Sequence, residues 1–160
     1  MKHLTATAAA IGLSATIASA EVTVAPADVQ PDDYGAVTVA LTDQAGSAEE
    51  GAVIMSTKSR GNCISCHEVT ALNDTPFHGE VGPILDGVAD RWDEATLRGI
   101  LVNSKNVYPG TVMPSYYKVE GYVRPGIAFT KKPATEPLDP LLSAQEIEDV
   151  VAFLMTLKEE

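Results

Sequence analysis

The chain has 160 residues, 45% of them hydrophobic, and its 22 acidic against 11 basic residues give a formal net charge of −11. Such an acidic chain repels phosphate backbones, which argues against nucleic acid and anionic membrane surfaces as partners. The charge favours docking to a basic protein surface, although it also helps to keep an exported protein soluble.

The first twenty residues are typical of a secretory signal peptide. Lys2 supplies a basic start, a stretch rich in alanine, serine and threonine follows, and residues 18–20 (Ala-Ser-Ala) form a small-x-small cleavage site. This stretch is too short and too poor in large apolar residues for a good membrane span. We therefore expect a signal peptide over residues 1–20, export of the mature chain, an N-terminal extension over residues 21–45 and one domain over residues 46–160.

The N-terminal extension contains two β-like runs, at residues 22–24 and 36–41, which are separated by proline and glycine. We expect an extended arm that lies either on the domain or on a partner. Ser47 can then cap a first helix, with two glutamates in its first turn, and Gly61 is expected to end that helix.

The rest of the chain predicts two further helices joined by loops. Residues 68–92 are rich in proline and glycine and indicate irregular structure, after which Asp93 can cap the second helix. Residues 104–142 predict a long loop, which is usually functional or bound to a partner. Ser143 and Glu146 form a capping box for the last helix. The expected fold is all-α, with three to four short helices and a core too thin for the chain length, so another group should fill its centre.

Both cysteines lie in residues 60–67, whose sequence is RGNCISCH. A thioredoxin-type disulfide needs this motif at the start of a helix in a βαβ unit, and no such unit is predicted. Structural zinc needs four well-spaced ligands. The mature chain offers only Cys63, Cys66, His67 and His78, and two of these are adjacent.

Attachment of a c-type haem is the chemistry that fits this motif. Two thiols three residues apart can add to the two vinyl groups of one porphyrin, and the next imidazole reaches the iron from the same side. We therefore predict one covalent haem c on Cys63 and Cys66, with His67 as proximal ligand. Attachment follows export, which agrees with the signal peptide, and the porphyrin would fill the thin core.

The sixth iron position has several candidates, namely His78, Met55, Met113, Met155, a small distal ligand or nothing. Two of the methionines fall on predicted apolar helix faces, where methionine usually packs the core, and His78 is expected to be a solvated loop histidine. Met113 precedes Pro114 in a loop that lies 46 residues after His67, which is enough chain to reach the opposite face of the ring. We therefore predict Met113 as the ligand. A neutral sulfur opposite an imidazole favours Fe(II), which suits electron transfer rather than oxygen binding.

A proximal imidazole normally donates its second N–H to a backbone carbonyl. Pro83 is the candidate, because Gly82 before it permits close approach, although a plain turn would explain both residues equally well. Four aromatic residues could line the haem crevice or bind a partner, and composition does not decide between these roles: Trp92, Tyr116, Tyr117 and Tyr122.

The segments CISCH, GPILDGV and VMPSY, in that order, resemble class I cytochromes c from about Ser47 to Lys158. The resemblance implies an all-α cytochrome c domain over residues 46–160. It also implies that Cys63 and Cys66 attach the haem, with His67 as the proximal and Met113 as the distal ligand. The carbonyl that accepts the hydrogen bond of the proximal imidazole would be that of Pro83.

Residues 82–125 resemble a narrower group, the SoxX family of mono-haem subunits in SoxAX cytochromes of bacterial thiosulfate oxidation. This resemblance implies a periplasmic heterodimer with a SoxA-type subunit that carries one or two haems. Such a complex, an L-cysteine S-thiosulfotransferase, joins thiosulfate oxidatively to a cysteine of the carrier SoxYZ. The catalytic haem of that family lies on SoxA, so the present chain would be the non-catalytic subunit. It would pass electrons to a small acceptor cytochrome, and residues 21–45 and 116–140 are candidates for wrapping the partner.

Two rival functions remain open at this point. The first is a free-standing periplasmic cytochrome c that shuttles electrons. The second is a haem sensor or gas-binding protein with an open iron, which requires that Met113 does not bind the iron.

Overall fold

The computed structural model describes residues 22–122, 126–127, 132–134 and 137–159, and the predicted signal peptide lies outside them. The described ranges contain four helices: α1 (Ala48–Ser56), α2 (Val88–Arg91), α3 (Glu94–Val107) and α4 (Ala144–Leu154). They also contain one antiparallel pair of two-residue strands, β1 (Gly126–Ile127) and β2 (Lys132–Pro133), with Gly126 opposite Pro133. The predicted all-α class with three to four helices is confirmed. None of the helices in these ranges is long and apolar enough to cross a membrane.

The predicted helix starts are confirmed by their capping hydrogen bonds. Ser47 caps α1 and Asp93 caps α3, each by accepting a backbone N–H from the first turn through its side chain. Ser143 and Glu146 form both halves of the capping box of α4. Capping depends on residues within one turn of each other, which is why sequence alone locates these starts.

Several predicted boundaries are wrong. The first helix ends at Ser56 rather than Gly61, because the hydroxyls of Ser56 and Thr57 bond to the carbonyls of the last turn and the chain then turns away. The short helix α2 lies in a region that the proline and glycine content predicted to be irregular. The second predicted helix extends to Val107, four residues into the predicted long loop.

The helices α1 and α4 cross at Gly51. A Cβ atom on this glycine would lie 2.1 Å from the carbonyl oxygen of Asp149 and 2.7 Å from Cβ of Phe153. The two backbones therefore approach more closely than any other residue would allow, and Ile54 and Ile147 are fully buried beside the crossing. Gly51 lowers the helix propensity of α1, and the close crossing with α4 explains why a glycine is present there.

The N-terminal arm lies on its own domain. Val37 and Leu41 are buried in the core. The two β-like runs do not form strands, and an isolated bridge joins Thr23 of the first run to Thr42, directly after the second. Arg98 of α3 donates from Nη1 to the Val37 carbonyl at 2.9 Å and from Nε to Glu148 at 2.8 Å. The same carboxylate accepts the Leu41 amide at 2.8 Å. This buried ion pair thus joins the arm to α3 and α4.

Candidate haem site

The segment with both cysteines forms a compact turn between α1 and the loop that follows. Asn62 adopts a left-handed conformation with φ of 50°, after which residues Cys63–Ser65 form a 3-10 turn. The amides of Cys66 and His67 both donate to the carbonyl of Cys63, at 3.1 and 3.0 Å. The turn therefore gathers both thiols and the imidazole, and both thiols are free.

The imidazole of His67 is held by the segment that contains Pro83. Its Nδ1 atom lies 2.6 Å from the Pro83 carbonyl oxygen, and the Gly82 amide donates to the Cys66 carbonyl at 2.7 Å. A Cβ atom on residue 82 would lie only 2.3 Å from Cε1 of His67. Because a carbonyl can only accept, Nδ1 carries the proton and Nε2 is the ring atom with a free lone pair.

These residues fit a covalently attached haem. Two free thiols and one unprotonated imidazole nitrogen form the donor set that the motif requires. Nε2 of His67 has no hydrogen-bond partner among the described residues, so it is available to an iron. Within those residues, no three His, Cys, Asp or Glu side chains are arranged to hold a metal ion by themselves. The roles of Cys63, Cys66 and His67 toward haem stay predictions that this geometry fits.

Tyr116 connects the cysteine turn to the segment that follows Met113. Its hydroxyl donates to the carbonyl of Gly61 at 3.1 Å, and both Tyr116 and Cys63 are buried. Burial raises the pKa of the Cys63 thiol to about 11, although the Tyr116 hydroxyl acts in the opposite direction. Burial likewise raises the pKa of the Tyr116 hydroxyl. The sequence left the role of Tyr116 open, and the structure places it against the cysteine turn.

Met113 is half-buried and packs against the core. Its carbonyl oxygen accepts a hydrogen bond from Ser104 Oγ at 2.7 Å and another from Lys105 Nζ. Its amide donates to the Thr111 hydroxyl at 3.2 Å. The loop is therefore fixed on both sides of the methionine, whereas Met55 is a core residue with 1% exposure, as predicted. Iron ligation by Met113 stays a prediction.

His78 is not the solvated loop histidine that the sequence predicted. Its Nδ1 accepts the amide of Val69 at 3.2 Å, and its Nε2 atom is buried with no hydrogen-bond partner in the described part of the chain. Val69 is itself fully buried two residues after His67. His78 thus ties the proline- and glycine-rich loop to the end of the cysteine turn, a tertiary contact with no local sequence signal.

The remaining aromatic residues have structural contacts away from the cysteine turn. Tyr117 donates from its hydroxyl to the Val24 carbonyl at 2.7 Å and so holds the N-terminal arm. Trp92 packs edge-on against Tyr108, with ring centroids 6.4 Å apart. Tyr122 donates to the carbonyl of Lys118 at 3.0 Å.

Comparisons with known proteins show which family this chain resembles. The sequence model of the cytochrome c family matches residues 48–158. The crystal structure of SoxXA from P. pantotrophus contains a similar chain, with 54% sequence identity and a TM-score of 0.80. The match covers 84% of the present chain and 98% of that chain. No curated protein matches the sequence.

Proposed function

Because the chain belongs to the cytochrome c family and, within it, to the SoxX subunits, we propose that it is the mono-haem electron-transfer subunit of a periplasmic SoxAX-type complex. The observation that carries this proposal is the 54% identity to a chain of SoxXA over 98% of that chain's length. The geometry of His67, Pro83 and Gly82 supports it, since these residues form a ready imidazole site beside two free thiols.

The haem would be held by Cys63 and Cys66 through thioether bonds, and Nε2 of His67 and the sulfur of Met113 would bind its iron. Bound in this way, haem c supplies a one-electron Fe(III)/Fe(II) couple. The Pro83 carbonyl accepts a hydrogen bond from the Nδ1–H of His67, which fixes the tautomer and the orientation of the ring. The neutral thioether of Met113 favours the ferrous state, which suits an electron acceptor of raised potential.

The two thiols indicate which subunit carries out the sulfur chemistry. After attachment neither cysteine retains a free thiol, so this chain has no group to carry sulfur. We assign the sulfur chemistry to a SoxA-type partner and to a cysteine of a SoxYZ-type carrier. There the carrier thiol and thiosulfate form one S–S bond and release one proton and two electrons. Since one haem accepts one electron at a time, this chain passes the two electrons singly to a small acceptor cytochrome.

The charge of −11 supports the last transfer, because it would steer this chain toward a basic face of an acceptor. The contribution should weaken as salt screens the two surfaces.

Co-purification tests the assembly. The tagged chain, exported together with a SoxA-type subunit and the haem-attachment machinery, should elute as a heterodimer whose smaller chain retains haem stain after denaturation. The variant with Cys63→Ser and Cys66→Ser should lose the haem stain of this chain alone. A monomeric haem protein that never binds the partner would overturn the proposal in favour of a free-standing electron shuttle.

A further inference from the structure

Helix α3 is broken at Asn103, where φ is −150° and ψ is 88°. The carbonyl oxygens just before this break are used by the segment that follows Met113. Leu101 accepts the amide of Tyr116 at 2.9 Å, and Val102 accepts the amide of Tyr117 at 3.3 Å. Because of the break, carbonyl groups near the end of the helix are free to accept hydrogen bonds from another segment of the same chain.

Side chains at the break bind the same segment nearer to the methionine. Ser104, which is fully buried, donates from Oγ to the Met113 carbonyl at 2.7 Å and lies 3.3 Å from that of Pro114. Ser115 donates from its hydroxyl to Oδ1 of Asn103 at 2.7 Å. Lys105 Nζ provides a second donor to the Met113 carbonyl.

The direction of the Ser104 hydroxyl is unusual for a helix. A serine inside a helix normally returns its hydrogen bond to a carbonyl one turn earlier. Here the hydroxyl instead donates to the carbonyl of Met113 in the neighbouring loop. Met113 is the residue whose side chain is the predicted distal iron ligand. Pro114 has no N–H, so the backbone cannot make an amide hydrogen bond of its own directly after Met113.

We propose that Ser104, presented by the break at Asn103, is a positioning residue that holds Met113 in place against exchange for another iron ligand. The inference rests on the proposed function, in which Met113 is the distal ligand. Loss of the Ser104 hydrogen bond should raise the affinity of a competing iron ligand about fivefold. The effect is no larger because Lys105 still binds the same carbonyl.

The test is competition by exogenous imidazole for the iron of the ferric holoprotein. Binding is followed by loss of the near-infrared absorption that arises from methionine-to-iron charge transfer. The matched control is Ser143→Ala, which removes the cap of α4 and is expected to lower stability without touching the Met113 loop. Imidazole should bind Ser104→Ala about fivefold more tightly than wild type. It should bind Ser143→Ala with wild-type affinity.

Equal imidazole affinity in Ser104→Ala, Ser143→Ala and wild type would overturn the inference and leave Ser104 a merely structural residue. Should Ser104→Ala not fold, Ser104→Cys keeps the shape of the side chain but replaces the hydroxyl by a weak donor, and it must bind imidazole more tightly than wild type. Wild-type affinity in that variant would overturn the inference in the same way. Absence of the near-infrared band from the wild type would instead overturn ligation by Met113, and the inference with it.

Discussion

Nδ1 of His67 lies 2.6 Å from the carbonyl oxygen of Pro83, sixteen residues further along the chain. The backbone of Gly82 lies against the same imidazole, where a Cβ atom would come within 2.3 Å of Cε1. The motif that is predicted to attach haem and the segment that orients its histidine are therefore one packed unit. Changes in either should affect haem binding before they affect the rest of the fold.

Gly82→Ala should impair haem attachment. The added methyl group would displace the imidazole of His67 and break its hydrogen bond to Pro83. We expect at least a severalfold loss of covalent haem per polypeptide, measured by haem stain and by the spectrum of the reduced protein. Gly121→Ala is the control, because it is strained by its positive φ but its added Cβ atom would meet only the end of the Lys118 side chain, at 3.4 Å. Equal haem content in the two variants would contradict this packing.

Gly51→Ala should destabilise the protein although alanine is the better helix former. Helix propensity alone predicts a gain of about 1 kcal/mol. The added Cβ atom would lie 2.1 Å from the Asp149 carbonyl, and overpacking of this kind costs about 1–3 kcal/mol or more. The free energy of unfolding, from denaturant titration of the holoprotein, should therefore fall. A rise would mean that α1 and α4 do not cross here.

Arg98→Met should release the N-terminal arm. It leaves the Glu148 carboxylate buried without its cation, which costs about 3–5 kcal/mol. Thermal unfolding and limited proteolysis between residues 22 and 45 measure the two effects. The double variant with Glu148→Leu removes both charges and should recover much of the stability. Equal losses in the single and double variants would refute the role of this ion pair.

Glu146 should contribute stability that depends on pH. Burial raises the pKa of its carboxyl, but hydrogen bonds from Ser143 and Arg60 together lower that pKa by more. The pKa of Glu146 therefore lies below its ordinary value. A depressed folded-state pKa stabilises the protein above the unfolded pKa of about 4.3, and the contribution is lost as pH falls through the folded value. Glu146→Gln should therefore be less stable than wild type by up to about 1 kcal/mol near neutral pH.

The difference between wild type and Glu146→Gln should shrink as pH falls below about 4, measured by denaturant unfolding across the range. A constant difference at every pH would contradict the assignment of the effect to this carboxylate.

Local signals explain what the sequence predicted correctly. The helix caps and the approach of Gly82 and Pro83 to the imidazole involve residues whose chemistry is evident from a few neighbours. Other features depend on contacts between distant segments. The break at Asn103 lies where the segment after Met113 pairs with the helix, and Nε2 of His78 is buried where its Nδ1 accepts the amide of Val69. The N-terminal arm joins the core through Arg98, whose charge alone predicts a solvated side chain.

The most direct test of the central claim is reduction of this chain's haem by thiosulfate. The ferric chain, in complex with its SoxA-type partner, is mixed with thiosulfate and the reduced carrier protein. Its near-infrared methionine-to-iron band should bleach, because reduction to Fe(II) removes that transition, and the bleaching should stop when the carrier cysteine is alkylated. An unchanged band with all components present would contradict the account, and so would bleaching that persists after the carrier cysteine is alkylated.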